Sequence, residues 1–213
     1  MAQRSDGRYR RRMELPALQD ASAAALLGAA FAKDPAFTWV FPDESKRTGR
    51  LTWIAERLIR MTRLSGGTVD ASDDVPSAIA LWVPVDAPFT EPLGLLLRAG
   101  FGSAPFALGL GALARLARLG GPTNALHRTH APLPHDYLLQ VAVDPSRQGG
   151  GIGARLVRAG LERAARNGRA VWLETSNPRN VPFYERLGLT ERARYTFASG
   201  VTLVGLSTTL PRS

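Results

Sequence analysis

An α/β domain, built on a mixed and largely antiparallel sheet flanked by helices, is the fold class this sequence predicts. Three observations lead there. A strand pattern at 137–143, a glycine-rich turn, a helix over about 151–167 and a strand at 170–175 follow one another, and a strand–helix–strand crossover makes a parallel pair. The chain closes on two β-rich stretches around Ser199-Gly200, the pattern of an antiparallel hairpin. Two helical patterns precede the first strand, and a sheet needs such helices to cover its apolar faces. At 213 residues, 45 % of them hydrophobic, the chain has material for one ordinary core, or two small ones at most.

Residues 1–12 end in Arg-Tyr-Arg-Arg-Arg and read as a basic, disordered tail; residues 13–213 read as a single domain. Asp20 is placed to cap a helix over "ASAAALLGAAFA", which stops before Asp34-Pro35 because the residue preceding a proline is pushed out of the helical region. Trp53, Ile54, Leu58 and Met61 share one face of a second helix over 46–64, ended by Ser65-Gly66-Gly67. "TVDAS" and "SAIALWVPV" read as short strands, the second ended by Pro84. From Asp86 to His135, proline and glycine punctuate two apolar helical stretches, about 89–99 and 105–119. This 86–135 block is either further core or an insertion that lids a site. After the crossover unit come a short helix at about 181–187 and the hairpin strands "ERARYTF" and "VTLVGLST".

Composition removes several classes of function. There is no cysteine, so disulfides, thiolate metal sites and cysteine nucleophiles are excluded. The first residues lack the apolar core of a secretion signal. The most apolar run, 99–114, holds Pro105 and four glycines and falls short of the roughly 20 residues that cross a bilayer. The expectation is a cytoplasmic protein with no membrane partner. Net charge is +9, from 27 basic residues of which only Lys33 and Lys46 are lysines. The arginines are scattered, and Arg155, Arg158 and Arg166 lie opposite Ile152, Leu156 and Gly160 on one helix, as on a solvated face. No nucleic-acid partner is expected, and the charge suits a polyanionic cofactor.

The crossover turn, "RQGGGIGARLV", has glycine at 149, 150, 151 and 153. Each interior glycine costs about 0.5–1 kcal/mol relative to alanine, so a ligand approaching bare backbone is the expected reason. A phosphate-binding P-loop requires a Gly-Lys pair, which the sequence lacks. Gly149, Gly151 and Ala154 satisfy the dinucleotide pattern G-x-G-x-x-A, with Glu174 at the end of the next strand. Against that reading, Asp144 to Gln148 separate the strand from the first glycine, and few residues follow Glu174 to complete a doubly wound sheet. The third reading takes Gln148-Gly149-Gly150-Gly151-Ile152-Gly153 as Q-x-x-G-x-G.

Together with the preceding "LLQVAVDP", the following helix and "LETSNPRNVPFYERLGL" (173–189), this motif resembles the GNAT superfamily of acyl-CoA-dependent N-acyltransferases. The last segment and "AAFAKDPAF" (29–37) are most similar to the puromycin N-acetyltransferase branch. The resemblance covers most of 20–210 and is strongest over 135–189. It implies a GNAT-type fold in which the parallel strands 137–143 and 170–175 splay and the thioester of acetyl-CoA, the cosubstrate, lies between them. Physical chemistry agrees with the assignment. Amides of Gly149, Gly150, Gly151, Ile152, Gly153 and Ala154, with Gln148, stand at a helix N-terminus suited to a pyrophosphate. Val141, Ala142 and Val143 offer strand amides to the pantetheine arm. Gly150 departs from relatives that carry a basic residue there, so either Arg147 or Arg155 supplies the charge or a lower affinity is expected; Leu189, where relatives often have Phe, reads as a packing change.

The resemblance assigns Asn180 to a cofactor contact and Tyr184 to protonating the departing thiolate. A helix starting at Asn180 puts Pro182 in its first turn, where the missing N–H is harmless. Gly188 then stops it, Phe183 and Leu187 face the core, and Tyr184 points toward the strand ends. The attacking amine needs a base. Glu174, on the same side of its strand as Trp172 and opposite Val171 and Leu173, is the first candidate, with a purely structural acceptor role as the alternative. His127, His130 and His135 crowd together before the cofactor strand; Pro132 and Pro134 break any regular spacing and no carboxylate is expected beside them, so no metal is expected. His135 is a second candidate base or a strand-start hydrogen bonder. The expected activity is acetyl transfer from acetyl-CoA to an amine of a small molecule by direct attack. The acceptor site would be formed by the 31–45 loop, the second helix and the 86–135 block, in a monomer or homodimer. The alternatives are an NAD(P)-binding enzyme and a non-catalytic CoA-binding protein.

Overall fold

The computed structural model describes residues 19–72, 76–87 and 93–210; the basic tail lies outside them. Six strands form one sheet: β1 (Thr68–Ala71), β2 (Ala78–Val85), β3 (His135–Val143), β4 (Ala170–Thr175), β5 (Thr190–Thr196) and β6 (Thr202–Ser207), in the order β1-β2-β3-β4-β6-β5. Every neighbouring pair is antiparallel except β3 and β4. That arrangement is not the parallel, doubly wound sheet that the dinucleotide reading requires. The parallel pair is short. His135 matches Ala170, Asp136 matches Val171 and Tyr137 matches Trp172. Beyond those rungs β3 continues against β2 alone, and β4 against β6 alone. A register shift in the β2–β3 ladder leaves Leu139 between the partners of Leu81 and Trp82, a bulge of the kind that bends a strand.

Helices cover both faces, which explains why β2 is apolar without alternation. On one face Ala78, Ala80 and Trp82 pack with Leu156, Val157 and Ala164 of the crossover helix α7 (Ile152–Arg166). On the other, Ile79 and Leu81 pack with Ala23, Ala24 and Leu27 of α1 (Asp20–Ala30) and with Ala55 and Ile59 of α3 (Glu44–Leu64). Gly160 lets α7 lie close to the sheet: a Cβ there would stand 2.0 Å from the Trp82 ring. Gly205 does the same for β6, where a Cβ would meet Leu126 at 2.5 Å and Trp172 at 2.7 Å.

Between α1 and α3 the expected 31–45 loop contains a helix, α2 (Pro35–Val40). Asp34 caps it, accepting from the amides of Ala36 at 2.9 Å and Phe37 at 3.4 Å; Asp34-Pro35 ends one helix and starts another. Arg47 is buried and donates to the carbonyls of Phe41 (2.7 Å), Ala32 (3.1 Å) and Pro42 (3.0 Å), which pins this segment to α3.

The 86–135 block carries α4 (Leu93–Ala99), α5 (Ala104–Leu108) and α6 (Leu110–His130). Ala104, Leu108 and Ala112 pack with Val40, Phe41, Leu51 and Ile54, while Phe106 is 93 % exposed and Leu110 75 %. The break expected near 119 does not occur. Helix α6 runs through Gly120, Gly121 and Pro122 because its far end is held by packing, with Leu126 and His127 buried and Leu126 clustered with Tyr137 and Trp172. Pro84 likewise does not end β2, where it is exposed and paired with Asp136. No helix of the described residues is long and apolar enough to cross a membrane.

Candidate active site

Three features converge where β3 and β4 part. The first is the head of α7. After β3, Asp144 accepts from the amide (2.8 Å) and hydroxyl (2.7 Å) of Ser146 and holds a short turn. Gly149 (φ +87°) and Gly151 (φ +73°) then take left-handed conformations, which side chains resist. Gly151 stands at the N-cap with no side chain to satisfy the amides of the first turn, so the positive end of a four-turn helix is open to an anion. Gly150 has open space around it, its nearest neighbour being the Arg147 carbonyl at 3.8 Å. Gly153 has a packing purpose besides the one expected. Its Cβ would lie 2.8 Å from Val143 Cγ2, so its small size seats α7 on β3. Arg155 reaches back to donate to the Gly150 carbonyl at 3.3 Å, and Gln148 Nε2 to the Val143 carbonyl at 3.4 Å. Ile152 and Ala154 are half-buried beside this turn.

The second feature is the gap itself. Ala142 is buried toward α1 and α3, whereas Val141 and Val143 pack toward α7. On the β4 side this part of β3 has no strand neighbour, so its outward main-chain groups are available for strand addition.

The third feature follows β4. Asn177, not Asn180, caps the descending chain, accepting from the Arg179 amide at 3.2 Å. Asn180 precedes α8 (Val181–Glu185) without a capping bond, and its Nδ2 donates to Thr175 Oγ1 at 3.4 Å. Pro182 is in the first turn, and Gly188 (φ +91°) closes the helix with the Leu189 amide bonded to the Tyr184 carbonyl at 3.2 Å. The expected orientation of α8 changes. Tyr184 is buried among Leu173, Val181, Leu189 and Val204, and Phe183 and Leu187 are the half-buried ones, because α8 is too short to present a regular i,i+4 face and seats Val181 and Tyr184 instead. Burial pushes the Tyr184 phenol well above its ordinary value, and the nearby Asp34 carboxylate adds to this. Asp34 was legible only as a helix boundary. Its Oδ1 also accepts from Ser176 Oγ at 2.6 Å, just past β4, and burial raises its pKa.

On the α6 side of β4, Glu174 is buried. Trp172 Nε1 donates to its Oε1, and Tyr137 adds a hydrogen bond to the carboxyl. Its Oε2 is buried with no hydrogen-bond partner among the described residues. Burial pushes this carboxyl up to about 7. Contrary to expectation, a carboxylate does stand beside the histidines: His127 Nδ1 lies 3.4 Å from Glu174 Oε1. The cause is the unbroken α6, which carries His127 to the sheet. His127 Nε2 is 2.8 Å from His135 Nε2, and His135 Nδ1 is 2.7 Å from the Pro132 carbonyl. Burial holds both imidazoles neutral, His127 down to about 3 and His135 down to about 4. His130 is exposed. No group of three or more side chains suited to holding a metal occurs among the described residues.

Residues 112–189, the stretch that contains α7, the gap and α8, match the acetyltransferase (GNAT) family. A mycothiol acetyltransferase of Streptosporangium roseum is 39 % identical over 64 residues, 29 % of this chain and 18 % of that protein; the chain thus spans less than a fifth of the curated relative it matches. Among solved structures, one described as a histone acetyltransferase HPA2 and related acetyltransferase from Corynebacterium glutamicum has a TM-score of 0.69 over 94 % of this chain and 96 % of that one, at 21 % identity. An agmatine N-acetyltransferase has a TM-score of 0.55 over 92 % and 98 %, at 15 % identity. At such identities the likeness is one of fold. The fold and the family match agree: residues 112–189, the segment that forms the gap, are similar to the acetyltransferase (GNAT) family, and the fold around them is one that solved acetyltransferases share.

Proposed function

We propose that the protein transfers the acetyl group of acetyl-CoA to an amine of a small molecule. One observation carries the reading: β3 and β4 part after a three-rung pairing, and the uncapped head of α7 stands at the mouth of the gap. The residues present fit the cofactor. Open amides at 151–154 and the Arg155 guanidinium suit a diphosphate, and the free edge of Val141, Ala142 and Val143 suits an amide-bearing arm. Asn180, exposed beside the gap, contacts the same arm. The bound thioester supplies the acyl carbon that the amine attacks directly.

Glu174 takes the proton released from the amine. A carboxyl raised to about 7 is matched to that task near neutral pH. Tyr184 gives its phenolic proton to the departing sulfur. Its raised pKa keeps it protonated until the sulfur becomes basic, and the dry surroundings that raise the phenol also raise the thiol, so the two remain matched. The small-molecule acceptor rests on the likeness of 29–37 and 173–189 to puromycin-type enzymes, and its site would be lined from α2, α3 and the 86–135 block.

A melting scan with coenzyme A and a thiol-release assay over an amine panel test the reading. Coenzyme A is expected to raise the melting temperature, and Tyr184→Phe to abolish turnover while retaining that shift. A shift with no thiol release from any amine indicates a non-catalytic CoA-binding protein. Stabilisation by NAD(P) in place of coenzyme A overturns the reading.

A further inference from the structure

The histidine pair behind Glu174 is built with a defined proton order. His127 lies in the last turn of α6 and His135 opens β3; each is 1 % exposed. A backbone carbonyl can only accept, so the 2.7 Å contact between His135 Nδ1 and the Pro132 oxygen requires a proton on Nδ1. In a neutral imidazole Nε2 is then bare. It accepts, and His127 Nε2 at 2.8 Å must donate. His127, having its proton on Nε2, turns a bare Nδ1 toward Glu174 Oε1.

We propose that His127 and His135 are positioning residues for the base: His135, anchored to the Pro132 carbonyl, fixes the His127 tautomer, and the bare Nδ1 of His127 receives the Glu174 proton in an Oε1–H···Nδ1 hydrogen bond. The inference rests on Glu174 being the base of the proposed reaction. An N–H bond of the attacking amine breaks, its proton moves to the carboxyl, and neither imidazole changes charge. Ionised, Glu174 faces a lone pair; protonated, it gains a partner. The pair therefore favours the proton-bearing form and makes the carboxyl a stronger base. Burial raises Glu174 and keeps both imidazoles uncharged, the condition under which this order holds.

Other described groups face the pair. Tyr137 on β3 packs edge-on to His127 at 4.5 Å between ring centroids, and Trp172 on β4 lies at 5.7 Å. Val83 and Val85 come from β2, Ala193 from β5, and Gly205 of β6 contacts Trp172. At the outer end the charged groups are Arg169, which lowers His135, Asp86, which raises it, and Asp136, held by Arg169 at 2.6 Å.

The chain has three histidines, so long-range proton–nitrogen NMR of the uniformly 15N-labelled protein reads each ring. The expected result is His127 protonated at Nε2 only and His135 at Nδ1 only, both neutral at pH 5.5. A proton on His127 Nδ1, or an imidazolium at either buried site near pH 6.5, overturns the proposal. Carbon-13 titration of the Glu174 carboxyl, identified by its loss in Glu174→Gln, adds a second readout. In His135→Leu, which does not touch Glu174, the midpoint is expected to fall by about one pH unit, the worth of roughly one hydrogen bond. His127→Gln is expected to lower it likewise. An unmoved midpoint in a folded variant overturns the proposal, and if neither variant folds the wild-type ring spectra decide. Both readouts work without turnover. A protein with this proton order that acetylates no amine would refute the proposed function and leave the tautomer lock standing.

Discussion

Replacing Gly160 with alanine adds one methyl group at the point where α7 lies on the sheet. That methyl would stand 2.0, 2.5 and 2.6 Å from three atoms of the Trp82 ring, far inside the roughly 3.5–4.0 Å at which carbon atoms rest in contact. Trp82 is 2 % exposed and is packed in the core on the α7 face, so the ring cannot swing away and the helix must lift. Overpacking of this severity costs about 3 kcal/mol; the better helix propensity of alanine returns about 1 kcal/mol. The net loss of about 2 kcal/mol corresponds to a fall of about 4–8 °C in melting temperature for a chain of this size. Gly49→Ala is the matched control, since Gly49 lies within α3, is exposed, and has nothing near its missing Cβ. It should gain about 1 kcal/mol and melt roughly 2–4 °C higher. Thermal and urea unfolding of the two variants beside wild type make the comparison. Equal stabilisation of both would mean that α7 does not sit on Trp82 as described, and the seating of its amide-bearing head would fall with it.

Three further outcomes follow from the buried polar groups. Glu174 rises from 4.5 to about 7 on folding, so the folded state holds a proton that the unfolded chain releases; its contribution is present below pH 4.5 and is lost as pH rises through 7. Glu174→Gln should therefore gain on wild type between pH 4.5 and pH 8, by on the order of 3 kcal/mol, read from urea midpoints at the two pH values; a constant difference between the proteins refutes the raised value. Arg47→Met strands the carbonyls of Ala32, Phe41 and Pro42 and should cost about 2–4 kcal/mol, whereas a neutral result would mean those carbonyls are satisfied elsewhere. Asp34→Asn keeps an acceptor for Ala36 and Ser176 but removes the charge that raises Tyr184; the Tyr184 phenol should titrate at lower pH, measured as the alkaline ultraviolet difference against Tyr184→Phe.

Local patterns carried the second half of the chain. Strand β4 spans the predicted 170–175 because Ala170 to Thr175 has one apolar run between turn residues, and Gly200 closes the predicted hairpin with the Phe197 amide bonded to the Val201 carbonyl at 2.8 Å. Other features depend on contacts that no local window contains. Pro122 argues against a helix, yet α6 passes through it because Leu126 and His127 are buried beyond it. Gly153 read as room for a ligand, and nothing local showed that Val143 would stand 2.8 Å from its missing Cβ. At the candidate site, the glycines, Tyr184 and Glu174 were legible as residue types and by their spacing. The partnership of Glu174 with His127, and of Asp34 with Ser176, was not, since α6 and the α1–α2 junction are brought to β4 only by the packed fold.

The brevity of the β3–β4 pairing has one more consequence. The sheet is two three-stranded leaves joined along one short seam, and Arg169 rivets that seam, gripping Asp136, Asp86 and the carbonyls of Val85 and His135 from the residue just before β4. A guest slipping between the leaves severs no rung of the ladder. It finds the page already open, with the binding thread at the far end from where it enters.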